Sequence, residues 1–229
     1  MKIGGLQKVS LIDYPGEISS IIFLQGCNFK CPYCHNPELV DSKLFGPCLQ
    51  EKDVLEFLKT RIGKIDAVTI TGGEPTIQND LTPFIKRIKK MGFAVKLDSN
   101  GSGPEVIQKL LSEKLLDFIA MDIKAPLEKY EKIARVPLKT DSIKESIKII
   151  LKAKIPHEFR TTVVQSLLTE NDILKITKLI SGARRYTLQK FVPVKTLDKK
   201  YLKAKPFSDD ELEKIRKRLE KEIPIVKVR

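Results

Sequence analysis

Ile18-Ser19-Ser20-Ile21-Ile22-Phe23-Leu24-Gln25-Gly26-Cys27-Asn28-Phe29-Lys30-Cys31-Pro32-Tyr33-Cys34-His35 is an apolar run of strand length that stops at a glycine and opens into a loop carrying three cysteines. Outward from it, apolar runs alternate with amphipathic stretches of helix length. Strands are predicted at 18–25, 67–71, 94–98, 118–123, 158–164, 186–191 and 224–228. Helices are predicted at 50–61, 81–90, 104–113, 142–152, 171–180 and 209–221. Two of these begin with a hydroxyl and a carboxylate three residues apart, Ser142 with Glu145 and Ser208 with Glu211, the pattern of a reciprocal cap. In the last helix Leu212, Ile215 and Leu219 share a face. Strand then helix, repeated about six times, predicts parallel strands with right-handed crossovers. Val68-Thr69-Ile70 and Ile119-Ala120-Met121 are apolar on nearly both faces, as a sheet covered by helices requires. Functional residues are then expected at the C-terminal ends of the strands.

The chain has 229 residues, 41% of them apolar and 31% charged, enough for a packed core. No apolar run approaches the roughly 18 residues of a membrane span. Met1-Lys2-Ile3-Gly4-Gly5 has no signal-peptide pattern, so a cytoplasmic setting with reduced thiols is expected. We read one α/β domain, with residues 1–17 as an N-terminal extension, 18–200 as the core and 201–229 as a C-terminal helix and strand. Lys and Arg number 42 against 29 Asp and Glu, a net charge of +13. The lysines are spread along the chain, so nucleic-acid binding is not the first expectation. A solvated cationic surface or a docking face for an acidic partner fits better.

Of the four cysteines, Cys27, Cys31 and Cys34 fall within eight residues, whereas Cys48 stands alone and reads as a small filler. Three thiolates from one loop suit zinc or an iron–sulfur cluster. Zinc would need a fourth ligand, for which His35 is the nearest candidate. A cubane cluster held by three cysteines keeps one iron open to an external ligand.

The C-x3-C-x-aromatic-C pattern, with Tyr33 as the aromatic, resembles the signature of the radical S-adenosylmethionine (radical SAM) superfamily. The strand at 68–71 runs into Gly72-Gly73-Glu74-Pro75, which resembles that superfamily's methionine-binding turn. The resemblance implies a partial (β/α)6 barrel, TIM-like with parallel strands. It also implies a [4Fe–4S] cluster on Cys27, Cys31 and Cys34 whose open iron takes S-adenosylmethionine. Gly72 and Gly73 would admit close backbone approach, with Glu74 and Pro75 completing the turn; Glu74 would meet the ligand's ammonium, and Tyr33 would lie beside its adenine. Leu97-Asp98-Ser99-Asn100-Gly101 and Met121-Asp122-Ile123-Lys124 resemble segments of glycyl-radical-activating enzymes. They imply ligand contacts for Asp98, Ser99 and Asn100, and a catalytic acid and lysine at Asp122 and Lys124. A carboxylate buried there needs a partner, which could be Lys124, the ligand or a cation. The plain reading of Asp98 is a cap on the Asn100-Gly101 turn. Arg160, on the fifth strand, is a further candidate for ligand binding.

Gly4-Gly5-Leu6-Gln7-Lys8, Ser10-Leu11-Ile12-Asp13-Tyr14-Pro15-Gly16, Cys34-His35-Asn36-Pro37-Glu38-Leu39, Phe159-Arg160-Thr161-Thr162-Val163 and Leu188-Gln189-Lys190-Phe191 extend the likeness. Together they resemble the anaerobic ribonucleoside-triphosphate reductase activating protein family. The eight-cysteine ferredoxin-like insert of many activating enzymes is absent, so a short single-cluster activase is the better match. This implies a glycyl-radical enzyme as partner, an anaerobic ribonucleoside-triphosphate reductase, with flavodoxin or ferredoxin as electron donor. Two other readings are weighed against it: a radical SAM enzyme acting on a small molecule or tRNA base, and a zinc-stabilised binding protein without catalysis.

Overall fold

A computed structural model describes all 229 residues. Eight strands form one sheet in strictly sequential order: β1 (Ile3–Ser10), β2 (Ser19–Leu24), β3 (Ala67–Gly72), β4 (Ala94–Ser99), β5 (Phe118–Asp122), β6 (His157–Val163), β7 (Arg185–Lys190) and β8 (Ile225–Val228). β1 is antiparallel to β2 and every later pair is parallel. β1 and β8 are the two edges and do not pair with each other, so the barrel is partial. Between strands run α1 (Pro37–Val40), α2 (Glu51–Lys59), α3 (Leu81–Lys90), α4 (Pro104–Ser112), α5 (Tyr130–Ala134), α6 (Asp141–Lys152), α7 (Glu170–Leu179) and α8 (Asp209–Leu219). No helix is long and apolar enough to cross a membrane.

The helices pack as their periodicity predicts. Leu81, Phe84, Ile85 and Ile88 of α3 are buried, as are Leu212, Ile215 and Leu219 of α8. They join one core with Val68 and Ile70 of β3 and Val95 and Leu97 of β4, each pair on one face of its strand. The alternate residues Thr69, Lys96 and Asp98 are polar, so the other face is not apolar as expected. The cap at Ser208 forms as expected, with Glu211 returning the bond. The expected cap at Ser142 does not. α6 starts at Asp141, so Ser142 is already helical and cannot hold the extended backbone of a cap; its hydroxyl donates to the Lys139 carbonyl at 3.0 Å instead.

Residues 1–17, read as an extension, contribute β1 to the sheet. The turn after β1 also does structural work. Tyr14 inserts among Ala67 and Phe118, the first residues of β3 and β5, and Ala120, its ring 5.8 Å from that of Phe118. It closes the interior at the strand starts, opposite the end where the cysteine loop lies.

Candidate active site

Residues at the C-terminal ends of the strands and in the loops that follow line a cavity of about 480 Å³. Cys27, Cys31, Cys34 and Tyr33 line it from the β2 loop; Gly72, Gly73 and Glu74 from β3; Asp98, Ser99 and Asn100 from β4; Asp122 and Lys124 from β5. Pro75 and Arg160, also expected here, are not on the wall: Pro75 is buried behind it, and Arg160 acts through the acids it holds. Thr162, Gln189 and Lys190 line the cavity too, and the sequence reading did not single them out. For Thr162 and Gln189 the signal was the period of two on β6 and β7, which puts Thr162 on the face of Arg160 and Gln189 on that of Thr187; Lys190 is out of that phase and carried no such signal.

The two glycines make a backbone junction. A Cβ on Gly73 would lie 1.9 Å from the Gly26 carbonyl oxygen, and one on Gly72 would lie 2.2 Å from the Leu24 nitrogen. Gly72 also has φ +119, open only to glycine. Their absence of side chains lets Gly73 N–H donate to Leu24 O at 2.7 Å and Glu74 N–H to Gly26 O at 2.8 Å. The turn thus clasps the start of the cysteine loop. The Glu74 carboxylate, expected to meet a ligand ammonium, is fully buried and accepts from Thr76 N–H and Oγ1–H, Ser99 Oγ–H and Asn100 N–H at 2.6–3.0 Å. Burial raises its pKa despite these donors. It ties β3 to β4 and takes the Asn100 N–H that a cap by Asp98 would have used.

Asp98 and Asp122 belong to a buried ladder of alternating charge. Lys96 Nζ donates to Asp98 Oδ1 at 2.5 Å, Arg160 Nη1 to Asp98 Oδ2 at 2.9 Å, Arg160 Nε to Asp122 Oδ1 at 2.8 Å, and Lys124 Nζ to Asp122 Oδ2 at 3.1 Å. Burial alone would raise both acids. The Arg160 guanidinium outweighs it, helped by Lys96 at Asp98 and by Lys124 at Asp122, and both pKa values fall below the ordinary carboxylate range. Burial likewise opposes the charge on Lys124, and Asp122 restores it, so the lysine presents a fixed cation to the cavity.

The three thiols do not close on a point: nowhere do three Cys, His, Asp or Glu side chains approach closely enough to hold one metal ion. His35 is also committed elsewhere. Its ring stacks on Phe191 at 5.4 Å, and Nε2 lies 2.9 Å from the Val192 carbonyl oxygen. A single zinc therefore lacks its ligand set, whereas three cysteines of one loop on the cavity wall are the donor type of an iron–sulfur cluster. Burial pushes the Cys27 thiol up to about 12 and Cys31 to about 11, so a cationic centre is needed to hold them as thiolates. A second fit is Tyr33 Oη, buried at the cavity without a partner, an opening for a ligand hydrogen bond.

The sequence profile of the Radical SAM superfamily matches residues 21–180. The chain belongs to the radical SAM superfamily. Within it, the enzyme is 36% identical over 99% of its length, and 95% of the relative's, to a Methanocaldococcus jannaschii protein carrying the provisional name glycyl-radical enzyme activating enzyme. It is 29% identical to the pyruvate formate-lyase-activating enzyme of Clostridium pasteurianum, over 86% of this chain and 83% of that one. These relatives place it among the glycyl-radical-enzyme activating enzymes. Its cofactors are a [4Fe–4S] cluster and S-adenosylmethionine. The crystal structure of Streptococcus suis SuiB bound to its precursor peptide SuiA shares the fold, with a TM-score of 0.71 at 14% identity, over 90% of this chain and 48% of that one.

Proposed function

We propose that this enzyme activates an anaerobic ribonucleoside-triphosphate reductase by removing one hydrogen atom from a glycine Cα of that partner. The observation that carries the reading is the near-complete alignment with a named activase, joined to a single-cluster loop without a ferredoxin-like insert. In this reading Cys27, Cys31 and Cys34 hold the cluster, and Tyr33 with the Gly72–Gly73 backbone, Asp98, Ser99 and Asn100 shape the S-adenosylmethionine site. Cluster and S-adenosylmethionine, once bound, would supply the one-electron cleavage of a sulfonium C–S bond. The chain's own residues orient and shield. Lys124, charged and held by Asp122, offers a fixed cation to an anionic ligand group. Asn100 Nδ2 donates to Asn28 Oδ1 at 2.9 Å and Asn28 Nδ2 to Ser102 Oγ at 2.8 Å, anchoring the cysteine loop to β4. The partner's glycine loop would enter past Val192 and Val194, exposed apolar residues on the wall after β7. An acidic flavodoxin or ferredoxin would supply the electron, its approach favoured by the +13 charge.

The test is anaerobic mixing of reduced holoenzyme, S-adenosylmethionine and a co-encoded glycyl-radical reductase. A glycyl doublet in the electron spin resonance spectrum, with 5′-deoxyadenosine formed in step, is expected. Deoxyadenosine release with no protein radical in any co-encoded partner would overturn the activase reading.

A further inference from the structure

A second cavity, of about 580 Å³, lies at the opposite end of the sheet from the cysteine loop. Phe118, His157, Arg185 and Ile225 line it, and each is the first residue of its strand, β5 to β8. Arg184 and Lys154, from the turns entering β7 and β6, complete its charged wall; Leu151, Ile155, Phe118 and Ile225 form the apolar one. No Asp or Glu lines it, and the nearby Glu158 of β6 is buried without facing it. Five of the nine arginines are ion-paired: Arg87, Arg135, Arg160, Arg216 and Arg218. Arg184 and Arg185 are not, although they are adjacent and share this wall. Arg185 Nη1 is buried here with no hydrogen-bond partner; the His157 ring is turned with Nδ1–H toward the Ile155 carbonyl oxygen at 3.4 Å.

A buried guanidinium nitrogen without an acceptor is rare and calls for one. Two guanidinium groups and an ammonium around one cavity suit phosphate oxygens, which a guanidinium fork binds bidentately. The apolar wall adds room for an organic body, within the usual size range of small-ligand sites. We propose that this cavity binds a small phosphorylated ligand of the nucleoside phosphate class, at a site separate from the radical chemistry. The phosphate would sit against Arg184, Arg185 and Lys154, beside the His157 ring, and the base and sugar against Leu151, Ile155 and Ile225.

His35 and His157 are the only histidines, so the imidazole resonances of histidine-labelled holoenzyme report the two ends of the molecule separately. Addition of ATP, or of inorganic phosphate, at constant ionic strength should move the His157 signals saturably and leave His35 unmoved. ATP should bind more tightly than phosphate. The double variant Arg184→Ala/Arg185→Ala should weaken binding by about tenfold or more while keeping iron content and circular dichroism unchanged. Should the double variant fail to fold, Arg184→Gln, at an exposed position, should weaken binding in the same direction. Three results would overturn the site: no His157 shift up to about 10 mM of either probe, a shift reproduced by KCl, or a shift undiminished in the variants. Equal affinity for phosphate and ATP would overturn the nucleoside part. Because no turnover is needed, these outcomes are independent of whether the activase reading holds.

Discussion

Arg160 shows how a single side chain can organise a site it does not line. Its guanidinium spans β6 to β5 and β4, holding two carboxylates that would otherwise repel each other in a buried setting. Removing one partner of a buried ion pair costs about 3–5 kcal/mol, mainly because the remaining charges lose their compensation. Arg160→Met should therefore lower stability by roughly that amount in urea melts. Arg160→Lys should recover part of it, since one ammonium cannot span both acids. The two acids also set an acid limit. Their folded pKa values lie below the unfolded value of about 3.9, so the stability they contribute is complete above that pH and is lost as pH falls through the folded values. Acid unfolding of the wild type should thus set in below about pH 4, and the Arg160→Met variant should lose this steep acid dependence.

The cysteines divide equally sharply. Cys27, Cys31 and Cys34 share the cavity, whereas Cys48 is exposed and donates to Gln25 Oε1 at 3.3 Å. Alanine at any of the first three should abolish iron and sulfide incorporation, and Cys48→Ala should leave both at wild-type levels by metal analysis.

At the scale of elements, the decisive joint is the β3 turn against the end of β2. A methyl group at Gly73 meets a backbone oxygen, which cannot swing aside as a side chain can. Gly73→Ala should cost about 1–3 kcal/mol or more and, because Gly26 opens the cysteine loop, reduce cluster incorporation as well. Gly46→Ala is the control: a Cβ there meets nothing within 4 Å, and the melting curve should hardly move. The helices were legible wherever chemistry was local. The Ser208–Glu211 cap formed, whereas α7 begins with a reciprocal cap between Thr169 and Asp172 that the Glu-centred pattern passed over. β1 escaped notice because Gly4 and Gly5 weaken its strand pattern, and it is held by pairing to β2 rather than by its own propensity.

Across the whole molecule, the two ends of the sheet do different work. The C-terminal strand ends carry the cluster loop and the charge ladder, while Tyr14 seals the strand starts near the second cavity. Tyr14 is 7% exposed, and Tyr14→Ala should cost about 3–5 kcal/mol in thermal or urea unfolding. Tyr14→Phe should be much milder, and iron content should be unchanged in both, since the ring lies opposite the cysteines. A loss of cluster in Tyr14→Phe would show that the two ends are coupled.

The sequence by itself determined the alternation of strands and helices, the three-cysteine loop at a strand end and the glycine turn that follows it. Those features depend on residues close together in the chain, where periodicity and spacing speak directly. Only the tertiary structure decided that Arg160 reaches Asp98 across 62 positions, that Glu74 ties β3 to β4, and that Tyr14 is a plug. It alone brought Lys154, His157, Arg184 and Arg185 around one cavity. Such contacts form between strands far apart in sequence, and a buried charge or an orphaned donor acquires meaning only when its neighbours in space are known.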